Sequence, residues 1–150
     1  MPDVKKEIIS YQQYNIRIHQ LCEKLESLKP NVIIAIPRGG LAIGLHISHY
    51  LDCDNLFTMP INEEVIQVLS RQFENSNILI VDDVCDSGET LKYIVNLFNN
   101  YDITNIKTAT IHVKPRRSFQ PDFYVTEVPD NCWLVYPWEF DTDPDKEYMK

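Results

Sequence analysis

An α/β domain built around a mostly parallel central sheet is the fold class that the sequence predicts, and three observations lead to it. Two short apolar runs rich in β-branched residues, 32–36 and 77–81, lack polar alternation, as strands buried on both faces do. A loop carrying glycine breaks each run. Helical spacing follows each loop, so strand, loop and helix recur in order.

The elements follow from the N-terminus. Ile16, Ile18, Leu21, Cys22, Leu25 and Leu28 recur at helical spacing, with Ser10 as N-cap and Lys29-Pro30 as the stop. Val32, Ile33, Ile34, Ala35 and Ile36 form the first buried strand, Pro37-Arg38-Gly39-Gly40 breaks it, and residues 41–51 read as a helix. A short strand is expected at 56–59. The stretch 60–76 is polar on balance and is either a flexible flap or a short surface helix. The strand 77–81 runs into a loop at 82–90, and Leu91, Ile94, Val95, Leu97 and Phe98 mark the next helix. Further strands are expected at 106–113, 123–125 and 133–136, and the tail from Asp141 is acidic.

A chain of 150 residues, 44% hydrophobic, is the size of one domain with a real core, so a single domain over 1–150 is expected. The net charge of −8 and the dispersed basic residues give no electrostatic support to nucleic-acid binding. No run of about 18 apolar residues is present to span a membrane, and a cytoplasmic protein is expected. Cys22, Cys53, Cys85 and Cys132 contain no CxxC pair and read as reduced, buried thiols. His46 and His49 share a helix but lack a third ligand for a metal.

The chemistry concentrates after residue 81, where an open α/β sheet places its ligands. Ser87, Gly88, Glu89 and Thr90 offer two hydroxyls and free amides at a helix start, an anion cradle. Asp82 and Asp83 put acceptors at the strand end for sugar hydroxyls or a hydrated Mg²⁺. A ribose 5-phosphate with further phosphates at C1 needs both halves. The alternatives are a well-capped βα turn, which needs one acid rather than three, and a response-regulator-like acidic pocket, whose acids come from separate strands.

The segment Ile80-Val81-Asp82-Asp83-Val84-Cys85-Asp86-Ser87-Gly88-Glu89-Thr90 resembles the signature by which type I phosphoribosyltransferases bind 5-phosphoribosyl-1-pyrophosphate (PRPP). Ala35-Ile36-Pro37-Arg38-Gly39-Gly40-Leu41 is similar to the pyrophosphate loop of the bacterial xanthine–guanine branch, against the alternative of an ordinary turn with glycine at positive φ. The resemblance implies PRPP binding by Arg38, Gly39, Gly40, Asp82, Asp83, Asp86, Ser87, Gly88, Glu89 and Thr90, with a cis bond between Pro37 and Arg38. It implies base binding by Lys114, Trp133 and Leu134, and Mg²⁺ held by Asp82, Asp83 and Glu139, the last within Tyr136-Pro137-Trp138-Glu139 where relatives have Pro-Trp-Asp. Asp86 takes the place of the general base or N7 partner, its pKa expected to be raised by the two nearby acids. The fold implied is type I phosphoribosyltransferase-like, with a small hood from the chain ends and a flap at about 60–76. The implied activity is purine salvage from PRPP and a 6-oxopurine by a homodimer or homotetramer. One departure stands out: the flap reads Met59-Pro60-Ile61-Asn62-Glu63-Glu64-Val65 and lacks the usual Ser-Tyr pair, although Arg71 is available as a cation. A PRPP- or nucleotide-sensing regulator on the same fold is the rival reading.

Overall fold

The computed structural model of the protein describes residues 3–58, 60 and 62–140. In chain order the elements are β1 (Lys5–Ile8), α1 (Tyr11–Leu25), β2 (Val32–Ala35), α2 (Gly40–Tyr50), β3 (Leu56–Phe57) and α3 (Glu63–Gln72). After these come β4 (Ile78–Cys85), α4 (Glu89–Asn100), β5 (Ile106–Val113), β6 (Thr126–Glu127), β7 (Cys132–Val135) and α5 (Pro137–Phe140). The central sheet has the order β3-β2-β4-β5-β6 with every neighbouring pair parallel, and β1 pairs with β7 in a separate parallel ribbon made from the two ends of the chain. That ribbon is the expected hood. Its first strand, β1, has no signal in the sequence, because Lys5-Lys6-Glu7 carries no apolar run.

Strand alternation divides the core into two layers. Ile33, Leu79 and Ile111 face α1 and α2, where Leu21, Leu25, Ile43 and Ile47 are buried. Ile34 and Ile80 face α3 and α4, meeting Ile66, Ile94 and Phe98. With both faces covered, unbroken apolar strands are what burial demands.

Local signals set the boundaries. Ser10 and Gln13 form a reciprocal capping box that starts α1, which ends at Leu25, short of Lys29-Pro30. Within 60–76 a helix forms: Asn62 Oδ1 accepts from Val65 N at 3.0 Å, Glu63 and Glu64 occupy the positive end, and Ile66 and Phe73 are buried. Of the two readings of that stretch, the short helix is the one observed; Met59 and Ile61 lie outside the described residues, as does the tail 141–150. Near 123–125 the chain makes only an isolated bridge, Phe123 to Ala109, and the strand proper comes at Thr126–Glu127. All four cysteines are free and buried, and among the described residues no helix is long and apolar enough to cross a membrane.

The largest correction concerns β4. It runs beyond Val81 to Cys85, with Asp82 opposite Thr110 and Val84 opposite His112 on β5. Asp82 and Asp83 are thus strand residues and only Asp86 belongs to the loop, because β5 is long enough to keep pairing with β4 to its end.

Candidate active site

The site lies at the carboxyl ends of β2, β4 and β5. Since β4 and β5 are parallel and end together at the Cys85–Val113 pair, the next residues, Asp86 and Lys114, emerge side by side, and Lys114 N donates to Cys85 O at 2.9 Å. On the other flank β2 leads to the N-terminus of α2, pressed against the end of β4. A Cβ on Gly39 would lie 2.1 Å from Asp83 Oδ2, and one on Gly40 would lie 2.6 Å from Val81 O. Neither glycine has positive φ, so close approach rather than turn geometry requires them. The Pro37–Arg38 bond is cis, as the resemblance implies. Arg38 itself is exposed and forms no ion pair among the described residues.

The two strand acids are mostly enclosed by protein. Asp83 N donates to Asp82 Oδ1 at 2.8 Å and Val84 N to Asp83 Oδ1 at 2.7 Å. Burial, reinforced by the neighbouring Asp83 carboxylate, pushes the Asp82 pKa from an ordinary 3.8 up to about 9; burial also pushes Asp83 upward. Two adjacent carboxylates in such a place hold a proton between them until a cation or donor arrives.

The cradle follows. Gly88 sits at φ 83° as the N-cap of α4, where any side chain would also collide with Phe119, whose Cβ would be 2.7 Å from the added atom. Ser118 donates to Ser87 O twice, from N at 2.7 Å and from Oγ at 3.0 Å, and Cys85 Sγ approaches Phe119 O at 3.4 Å. The segment after Lys114 therefore braces the loop from outside, leaving Glu89 and Thr90 exposed at the positive end of the helix.

Asp86 joins two cavities. One, of about 90 Å³, is lined by Asp86, Ser87, Gly88 and Thr90; the other, of about 200 Å³, by Asp83, Asp86, Lys114, Trp133, Tyr136 and Glu139. The ion-pair partners of Asp86 are two cations. Arg116 reaches Oδ1 from Nε at 2.6 Å and from a terminal nitrogen at 2.5 Å, and Lys114 Nζ is 3.5 Å from Oδ2. The acid pair lies close by, Asp82 on the smaller cavity and Asp83 on the larger. Lys114 is 6% exposed, and its acceptors, Asp86 Oδ2 and Asp130 O, both lie at 3.5 Å. A buried ammonium with only stretched partners is one that can take a further acceptor. Trp133, by contrast, is 58% exposed at the cavity edge, with Leu134 buried beside it. Glu139 turns one carboxylate oxygen onto Tyr136 N at 2.5 Å, capping α5.

The phosphoribosyl transferase domain model matches residues 10–145. The chain belongs to the phosphoribosyltransferase family. Among curated proteins it is similar to the xanthine-guanine phosphoribosyltransferase of Ruegeria sp. (strain TM1040), 27% identical with 93% of this chain and 88% of that protein covered. It is equally similar to that of Cereibacter sphaeroides, at 27% with 93% and 90% covered. Among solved structures it resembles the purine phosphoribosyltransferase of Pyrococcus horikoshii, with a TM-score of 0.76, 29% identity and coverage of 97% and 98%. These relatives place the phosphoribosyltransferase described here on the purine side of the family, beside the bacterial xanthine–guanine enzymes.

The residues proposed from sequence thus gather at one end of the sheet: Arg38, Gly39 and Gly40 against Asp83, the loop 86–90 next to it, and Lys114, Trp133 and Leu134 around the adjoining cavity. Four further contributors carry little signal in the sequence. Arg116 stands two residues after Lys114 as one charge of a basic pair, Ser118 and Phe119 have no signal beyond loop composition, and Tyr136 is visible only as part of the Tyr136-Pro137-Trp138-Glu139 motif.

Proposed function

We propose that the protein transfers the 5-phosphoribosyl group from PRPP to a 6-oxopurine, hypoxanthine, guanine or xanthine, giving a nucleoside 5′-monophosphate and pyrophosphate. The observation that carries this reading is Lys114, a buried ammonium aimed into a cavity with an exposed indole at its edge and the Asp86 carboxylate beside it. Lysine offers donors alone, so it suits the exocyclic oxygen at C6, and Trp133 offers a face on which a flat base can stack. Amides at 87–90 hold the 5′-phosphate. Asp82 and Asp83 take ribose hydroxyls, and Arg38 with the amides of Gly39 and Gly40 stabilises the departing pyrophosphate. As the bond from C1 to pyrophosphate breaks and the bond to the purine nitrogen forms, the proton leaving the imidazole edge goes to Asp86.

Mg²⁺ fits the chemistry of the donors. Among the described residues no three His, Cys, Asp or Glu side chains form a ready metal cage, yet Asp82 and Asp83 form a buried acid pair that lacks a compensating cation. Mg²⁺ commonly binds through one or two carboxylates with substrate phosphates and water supplying the rest. Asp82 and Asp83 would hold it, with Glu139 as a third candidate, and it would supply charge for the leaving pyrophosphate.

The test is pyrophosphate release in the presence of PRPP and Mg²⁺ with hypoxanthine, guanine, xanthine or adenine in turn. Release with at least one 6-oxopurine and little with adenine is expected. PRPP binding without release for any base would favour a sensor, and equal use of adenine would remove the purine-oxygen reading.

A further inference from the structure

Behind the acid pair lies a buried polar chain that the reaction as described does not use. His112, on β5, is 0% exposed. Its Nε2 is 2.7 Å from an Arg17 terminal nitrogen and its Nδ1 is 2.7 Å from the Tyr136 hydroxyl. Arginine can only donate, so Nε2 must accept. Burial and the nearby Arg17 charge push the His112 pKa down to about 3, so the ring is neutral and its one proton sits on Nδ1. That N–H donates to Tyr136 Oη.

The consequence falls on Tyr136. With its oxygen accepting from His112, its own proton must point to a third partner, and none lies within hydrogen-bonding distance among the described residues. Tyr136 is 2% exposed and lines the cavity with Asp83 and Glu139; Asp83, then Asp82 and Glu139, are the charges acting most on its hydroxyl after burial itself. Its ring is fixed by stacking on Trp138, at 5.0 Å between centroids and 6° between planes, and Trp138 abuts Tyr14 edge-on at 5.0 Å. The result is a rigid, buried, unsatisfied donor beside an acid site.

We propose that Tyr136 is a positioning residue for the sugar: Arg17 and His112 set its hydroxyl as a donor toward the ribose hydroxyl that Asp83 holds. A sugar hydroxyl both gives and accepts a hydrogen bond. The carboxylate accepts a hydrogen bond from it, and Tyr136 supplies the complementary donor to its oxygen. This inference rests on the reading of the site as one for a phosphoribosyl group. It assigns a role to Arg17, which does not line the cavity.

The direct test is the tautomer of His112 in the ligand-free protein by ¹⁵N NMR, which should show the proton on Nδ1; a proton on Nε2 would overturn the relay whatever the ligand. The second is calorimetric titration with PRPP, ribose 5-phosphate and inorganic pyrophosphate. Tyr136→Phe keeps the stacked ring and should weaken PRPP and ribose 5-phosphate about 3- to 10-fold, the usual range for one hydrogen bond, while leaving pyrophosphate unchanged. Arg17→Met frees His112 to shift its proton to Nε2 and accept from Tyr136, withdrawing the donor from the site. It should therefore reproduce the same loss, and the double variant should be no worse than the weaker single. Unchanged sugar-phosphate affinity in folded Tyr136→Phe, or fully additive losses, would refute the inference while the phosphoribosyl reading stands; failure of wild type to bind PRPP at all would instead bring down that reading, and this one with it.

Discussion

Asp82→Asn should make the ligand-free protein more stable than wild type as pH rises, although it removes a carboxylate proposed to bind the sugar and Mg²⁺. Asp82 titrates near 3.8 when unfolded and near 9 when folded. Between those values the folded state therefore carries one proton more than the unfolded chain. Stability then falls with pH at about 1.4 kcal/mol per unit, fully present below the unfolded pKa and lost progressively as pH climbs toward the folded one. From pH 5 to pH 8 this amounts to roughly 4 kcal/mol at most, and about 2–4 kcal/mol is expected because the pair keeps some solvent contact at one edge. Asparagine retains the oxygen that accepts from Asp83 N and has no charge to lose. Urea denaturation of both proteins in EDTA, at pH 5 and pH 8, would measure the difference; Asp82→Asn should be close to wild type at pH 5 and more stable at pH 8. Parallel pH dependences would show that Asp82 ionises freely in the fold. PRPP affinity should move the other way, stability gained against binding lost.

Three further outcomes test the individual roles. Asp86→Asn should lower turnover about 10²–10⁴-fold with PRPP affinity nearly unchanged, as loss of general-base help does; an equal loss of PRPP binding, measured by calorimetry, would put Asp86 in the sugar site. Lys114→Met should collapse the preference for a 6-oxopurine over adenine, expected in wild type to be at least about 10² in kcat/KM, while leaving PRPP affinity alone; competition assays with each base decide it. Gly40→Ala and Gly39→Ala should differ in kind. The first drives a methyl against Val81 backbone and should cost about 1–3 kcal/mol of stability, whereas the second meets only the Asp83 side chain and should appear chiefly as weakened PRPP binding, read by thermal melting and calorimetry side by side.

What the sequence made legible was local. The buried strands at 32–36 and 106–113 announced themselves through β-branched residues, and the strand–loop–helix at 77–98 carried both the fold and the loop proposed to hold an anion within one window. What it concealed depends on pairing between distant segments. The reach of β4 to Cys85 is set by β5, 28 residues further on, so two aspartates that read as loop belong to a strand. β1 exists because Lys5–Ile8 can lie beside Cys132–Val135, a contact that no periodicity in Lys5-Lys6-Glu7 could reveal. The helix at Glu63–Gln72 is one of the two readings that the stretch 60–76 allows, and Asn62 followed by two glutamates is the helix-start signal that favours it. Sequence proximity revealed only part of the setting of Asp86: besides the acids near it in the chain, Lys114 and Arg116 reach its carboxylate through space.

That last arrangement explains how a ligand-free site could be stable and still ready for a base. Arg116 places both of its contacts on Oδ1 of Asp86, at 2.5 and 2.6 Å, so that oxygen is committed. Oδ2 is left to Lys114 at 3.5 Å, and Lys114 has its other acceptor, Asp130 O, at the same distance. The empty site thus holds one short, charge-assisted anchor and two stretched contacts. On the proposed reading, a 6-oxopurine entering between Asp86 and Lys114 would present an oxygen to the ammonium and an imidazole N–H to Oδ2, replacing long contacts with short ones without disturbing the anchor. Adenine would bring an amino group to the same ammonium, donor against donor, and leave a nearly buried charge unpaired. Selectivity for the oxygen then follows less from the strength of any one bond than from Lys114 having, in the empty protein, nothing better to do with its protons.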